Sequence, residues 1–133
     1  MFPQIQAGLT GEREIRVEAE QTARHLGSGN VSVLATPEMI RLMEAAAVRA
    51  VDPLLPEGYS TVGIQLQVSH LAATPLGMRV RVRAELQQVE DRKLTFRVQA
   101  FDEVEQVGEG THQRMIVDLA RFKQRVEAKL TRP

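Results

Sequence analysis

From Arg13 to Ala23 the apolar residues Ile15, Val17 and Ala19 alternate with Glu14, Arg16, Glu18 and Glu20, a period of two that predicts a strand with one buried face. The glycines and turn formers of His25-Leu26-Gly27-Ser28-Gly29-Asn30 predict a loop, and the apolar run Val31 to Ala35 a short second strand. Thr36-Pro37-Glu38 reads as a helix start: a threonine hydroxyl to cap free amides, a proline with a pre-set backbone angle, and an acid that complements the helix dipole. At about 100° per residue, Met39, Met43, Ala46 and Ala50 share one face of a helix that ends near Val51. Ile40, Ala47 and Val51 flank that face, Arg41 and Arg49 point away from it, and Asp52-Pro53 with Pro56-Glu57-Gly58 stop the helix.

Beyond Gly58 the period returns to two. Val62, Ile64, Leu66 and Val68 alternate with polar residues, and Thr74-Pro75-Leu76-Gly77 makes a turn. Met78, Val80, Val82, Ala84 and Leu86 then oppose Arg79, Arg81, Arg83 and Glu85, and Glu90-Asp91-Arg92 turns into Leu94, Phe96, Val98 and Ala100. A last strand runs from Val104 to Val117, where Gly108 and Gly110 suggest a bend or a close backbone approach. Leu119, Phe122, Val126 and Leu130 mark a terminal amphipathic helix. The predicted class is α+β, with one helix packed against one curled antiparallel sheet.

Composition narrows the function classes. The chain has 133 residues, 43% of them hydrophobic, enough for one core and too few for two, so residues 1–133 are expected to form one domain. Seventeen basic residues balance seventeen acidic ones, which removes the surplus that phosphate neutralisation needs, and no nucleic-acid partner is expected. With no cysteine, a thiolate nucleophile and a sulfur-ligated zinc site are excluded, and a reducing compartment is implied. Neither a signal-peptide pattern nor an apolar run of ~20 residues occurs, so the expectation is a cytoplasmic protein without a membrane partner. A chain this small often finishes a site by pairing with a copy of itself; a homodimer is expected, with a tetramer as the alternative.

Three residues stand out as chemistry. His70 continues the register of Val62 to Val68 and would point toward the helix, either as a hydrogen-bonded core histidine or as a functional one. Glu44 borders the apolar arc of the helix; it either pairs with Arg41 on the surface or presents a carboxylate to the buried side, where a histidinium would tune it. Thr36 has a structural role as N-cap, yet lies only eight residues before Glu44, about 12 Å along a helix axis, within the span of one extended ligand.

The set Thr36, Glu44 and His70, together with VLATPEMIRLMEAAAVRAV, GIQLQVSHLAATPLGMRVRV and VGEGTHQRMIV, resembles the hotdog-fold acyl-CoA thioesterases of the fluoroacetyl-CoA type from about Glu12 to Val117. The resemblance implies a curled sheet wrapped around one long central helix, a dimer with sites at its interface, and hydrolysis of a small acyl-CoA to free acid and coenzyme A. It makes Thr36, Glu44 and His70 the catalytic set, puts Gly63 at the thioester and places His112 and Arg114 near the coenzyme. No metal and no cofactor are implied, coenzyme A being part of the substrate. In this reading Glu44 is a general base or a nucleophile, His70 stabilises the oxyanion or protonates sulfur, and Thr36 positions water or Glu44. The Arg79, Arg81 and Arg83 stripe is read as an exposed strand face. A non-catalytic acyl-CoA or small-ligand binding module on the same fold is the alternative.

One segment departs from the family pattern. The specialised fluoroacetyl enzymes close their site with aromatic residues before the short strand, whereas no Phe, Tyr or Trp occurs here between Pro3 and Gly58. Scaffold and catalytic set are implied; fluoroacetyl specificity is not.

Overall fold

The computed structural model describes residues 2–131. Strand β1 (Thr10–Arg16) is followed by a single 3-10 turn, a short helix α1 (Ala23–Leu26) and the long helix α2 (Thr36–Val51). Strands β2 (Tyr59–His70), β3 (Arg79–Glu90), β4 (Lys93–Asp102) and β5 (Gln106–Asp118) lead into α3 (Leu119–Ala128). The five strands form one antiparallel sheet in the order β1-β3-β4-β5-β2, which makes β1 and β2 its edges. Helix α2 lies along the inner face of this curled sheet, chiefly against β1 and β3, while α3 touches the outer face at β5. This is the α+β hotdog arrangement that the resemblance implies.

Packing follows the two periodicities. Val80, Val82, Ala84 and Leu86 from β3 and Leu94, Phe96, Val98 and Ala100 from β4 are fully buried, and they enclose Met39, Leu42, Met43, Ala46 and Ala47 of α2. Burial of each large side chain here stabilises the fold by about 1.5–3 kcal/mol. The close approach expected at Gly108 is found: a Cβ there would sit 2.5 Å from the Met39 sulfur. Among the described residues no helix is long and apolar enough to cross a membrane.

Several local expectations are corrected. Val31 to Ala35 forms no strand; only isolated bridges, Thr22 to Leu34 and Val33 to Pro75, hold it. The first strand starts at Thr10 and stops at Arg16, and part of the expected loop is α1, capped by the Thr22 hydroxyl, which accepts from the His25 amide. Thr36 is not the N-cap of α2. Ala35 occupies that position, without a side-chain cap, and Thr36 is the first helical residue.

The register of β2 is the largest correction. Pairing with β5 slips between Gly63 and Gln65, so the strand changes face at Ile64. Thr61 and Gly63 face inward before the bulge, and Leu66, Val68 and His70 after it, because a single inserted residue reverses the alternation. Val62 and Ile64 instead face outward, lining a groove with Phe122 and Val126 of α3.

Candidate active site

The first residue of α2 and the last of β2 meet at one end of the inner face. Thr36 Oγ1 and His70 Nδ1 share a hydrogen bond of 2.7 Å. The hydroxyl is free to do this because Thr36 lies one residue too far into the helix to cap it. The other ring nitrogen, His70 Nε2, is buried and has no hydrogen-bond partner among the described residues. Burial pushes the imidazole below its ordinary pKa of 6.5, so the neutral ring dominates at pH 7. If the threonine hydroxyl donates to Nδ1, the proton of the neutral ring sits on Nε2, where it is a donor without an internal acceptor. A buried polar atom left unmatched beside solvent-accessible space is what a reacting group requires and a core histidine avoids.

A second cluster forms two helical turns further along α2. The Glu44 carboxylate turns toward β2, where a Cβ added at Gly63 would lie 3.1 Å from Glu44 Oε2, 3.2 Å from His112 Cε1 and 3.5 Å from Arg114 Nη1. Gly63 is therefore the point on which Glu44, His112 and Arg114 converge, and only a residue without a side chain leaves them that room. Arg41 does not take up Glu44; it makes a bidentate pair with Glu38, at 2.7 and 2.9 Å. Among the described residues nothing donates a hydrogen bond to Glu44, so its oxygens remain available.

Arg114 is locked rather than solvated. It is 6% exposed, donating from Nε to Thr61 Oγ1 at 2.8 Å, from Nη2 to the Thr61 carbonyl at 3.0 Å and from Nη1 to His112 Nε2 at 3.1 Å. The Thr61 hydroxyl donates onward to Asp52 Oδ1 at 2.7 Å, and Asp52 also accepts from Ser60 Oγ. His112 is 1% exposed and gives its Nδ1 proton to the Gln65 carbonyl at 2.9 Å, so Nε2 is the acceptor for Arg114. Burial holds His112 below its ordinary pKa, with the Arg114 charge acting in the same direction and Glu44 and the Gln65 carbonyl opposing it. Burial likewise disfavours the Arg114 charge, which Asp52 and Glu44 support. The expected grouping of His112 and Arg114 on one strand face holds, but Arg114 is spent on internal hydrogen bonds and does not present a solvated guanidinium to a phosphate.

Thr36 and His70 thus come together, as do Glu44, Gly63, His112 and Arg114, while the two groups are separated along α2. Asp52 and Thr61 belong to the second group and were missed: Asp52 reads in the sequence only as a helix stop, and Thr61 falls on the outer face unless the bulge at Ile64 is known. The Asp-Pro stop followed by a Ser-Thr pair was the one available signal. Arg79 and Arg81 are exposed and Arg83 half-buried; Arg81 pairs loosely with Glu12 and Arg83 with Glu85, as a strand face would. A cavity of about 840 Å³ lies under α3 between Arg92, Met115 and Arg125 and contains none of these residues.

The model of the fluoroacetyl-CoA-specific thioesterase family matches residues 17–120, a span that includes both groups. The chain belongs to this family. A fluoroacetyl-CoA thioesterase of Streptantibioticus cattleyicolor is 41% identical over 128 residues, covering 90% of this chain and 92% of its own. A solved variant of a fluoroacetyl-CoA thioesterase in complex with acetyl-CoA superposes with a TM-score of 0.87 at 38% identity, over 94% of this chain and 98% of the other. A hot-dog-like protein of Thermanaerovibrio acidaminovorans, 23% identical with a TM-score of 0.89 over 97% and 96% of the two chains, shares the fold. The family fold accounts for the placement of both groups at the inner face, where α2 and the β2 edge meet.

Proposed function

We propose that this family member hydrolyses acyl-CoA thioesters with Thr36, Glu44 and His70, in a site completed by a second copy of the chain. The observation that carries this reading is the Thr36 and His70 pair with its buried, unmatched Nε2. A thioester carbonyl is already activated, and a thiol of reference pKa about 8.5 leaves as thiolate with modest help. Glu44 takes a proton from water as the water oxygen adds to the carbonyl carbon. The Nε2 proton of His70 supports the oxyanion, and the C–S bond then breaks to release the carboxylic acid and coenzyme A. The amide near Gly63 is a further donor toward the carbonyl oxygen. No cofactor enters this sequence of steps.

Thr36 and Glu44 sit about 12 Å apart along one helix, which favours a site shared between chains, the helix start of one facing the helix middle of the other. Support comes from β2, an edge strand whose outer backbone groups are unpaired and whose Ile64 is 47% exposed. Free-thiol release from a panel of acyl-CoAs is expected to be abolished in Glu44→Ala and His70→Ala. Mixing the two inactive variants is expected to restore roughly a quarter of wild-type turnover by random subunit exchange in a two-fold dimer. Wild-type turnover in both variants overturns the assignment; no recovery on mixing overturns the shared site. Coenzyme A affinity without thiol release would mark a binding module instead.

A further inference from the structure

A cavity of about 370 Å³ opens directly from the Thr36 and His70 pair and continues between α1 and the start of the segment after β2. Its walls are Ala23, Val33, Leu34, Leu71, Ala72 and Ala73, and Ser28 is the one further polar residue on it. No lysine, arginine, aspartate or glutamate lines it. The arm of coenzyme A next to a thioester is pantetheine, whose amides and hydroxyl need hydrogen-bond partners when buried, and with Ser28 as the one further polar side chain this cavity suits the acyl arm better. A thioester held at His70 has only two arms, and the remaining arm is the acyl group.

We propose that this cavity is the acyl subsite and that it takes an uncharged saturated acyl group of roughly four to eight carbons, at the lower end of the ~300–1,000 Å³ range of ligand pockets. The inference rests on the thioesterase reading and extends it to a substrate class. Three features carry it. Alanines stand at three wall positions, so the width comes from missing side-chain volume. The segment that borders the mouth, Gly27 to Asn30, is small and polar and includes no ring that could shorten the cavity. No cation stands on the walls to pair with a terminal carboxylate, and a desolvated carboxylate without one is disfavoured. A two-carbon acyl group would leave most of these walls without contact, forfeiting the burial that longer chains gain.

Two measurements on the intact protein separate this from the parent reading. The first is binding of non-hydrolysable S-alkyl-CoA thioethers by calorimetry, in which affinity is expected to rise about fourfold per methylene from ethyl to hexyl. The second is kcat/KM for acetyl-, butanoyl-, hexanoyl- and succinyl-CoA, with hexanoyl expected at least tenfold above acetyl and about a hundredfold above succinyl. Ala72→Leu, and Ala73→Phe at an exposed position where folding is not at issue, are expected to move both optima to shorter chains. If acyl-CoAs are hydrolysed but affinity is flat with chain length, or neither variant shifts the optimum, the subsite is overturned while the thioesterase reading stands. If nothing is hydrolysed but thioether affinity still rises with length and falls in the variants, the subsite stands and hydrolysis does not. Failure of both overturns both.

Discussion

His70 and His112 sit on neighbouring strands, face the same side of the sheet and are both held below their ordinary pKa by burial, yet their hydrogen bonding differs. His112 has both ring nitrogens matched, one to the Gln65 carbonyl and one to Arg114, and stacks against Phe96 with ring centroids 6.2 Å apart. His70 has one nitrogen matched to a hydroxyl and the other unmatched. A satisfied imidazole is part of the framework, whereas a half-satisfied one retains a proton-transfer position at the end of the strand. Burial alone therefore does not distinguish the two rings; the hydrogen-bond inventory does.

The sharpest test of that contrast is a double dissociation. His70→Ala is expected to lower kcat by about 10²–10⁴-fold while changing urea-unfolding stability by less than about 0.5 kcal/mol. Arg114→Ala is expected to do the reverse in emphasis, costing about 3 kcal/mol of stability because Asp52, Thr61, His112 and Glu44 lose their common cation. A stable Arg114→Ala would break the distinction. Thr36→Val, which keeps volume and removes the hydroxyl, is expected to reduce kcat by about tenfold, since His70 Nδ1 loses its partner and the ring its orientation. Its melting temperature should stay close to wild type, because the hydroxyl caps nothing.

The two rings also differ in how they resist acid. Both have folded-state pKa values below the unfolded 6.5, so the unfolded chain binds more protons beneath that pH. Their contribution to stability is therefore complete above about pH 6.5 and is lost as the pH falls below it toward the folded values. The deeper burial of His112 predicts that His112→Asn flattens this loss more than His70→Asn, measured by unfolding between about pH 7.5 and 5. At the small end, Arg81→Ala on the exposed face is expected to cost only a few tenths of a kcal/mol. It should also leave KM for acyl-CoA unchanged; a rise in KM would mark the stripe as a phosphate contact.

Helix α2 was legible to its last residue because an apolar arc bounded by Thr-Pro-Glu and Asp-Pro leaves no other solution for that segment. Strands β3 and β4 were equally plain, since every second residue is buried from Val80 to Leu86 and from Leu94 to Ala100. Harder to see were Val31 to Ala35, where Leu34 and Ala35 are buried without forming a ladder, and the bulge at Ile64, which leaves no mark in an alternating sequence. Of the candidate residues, Thr36, Glu44, Gly63, His70, His112 and Arg114 could all be named in advance. What could not be read was the partition into two groups, the turning inward of Arg114, or the Asp52 and Thr61 support beneath it.

The sequence by itself determined the elements that a local period can specify: one amphipathic helix, the alternating strands and the chemical inventory of oxygen, imidazole and guanidinium without thiol. Only the tertiary structure decided which face each side chain occupies after a one-residue slip, which histidine is satisfied and which is open, and that a small cavity adjoins the Thr36 and His70 pair. The reason is physical: hydrophobic period acts within a few residues along the chain, whereas hydrogen-bond saturation depends on groups far apart in sequence that meet only when the sheet closes on the helix.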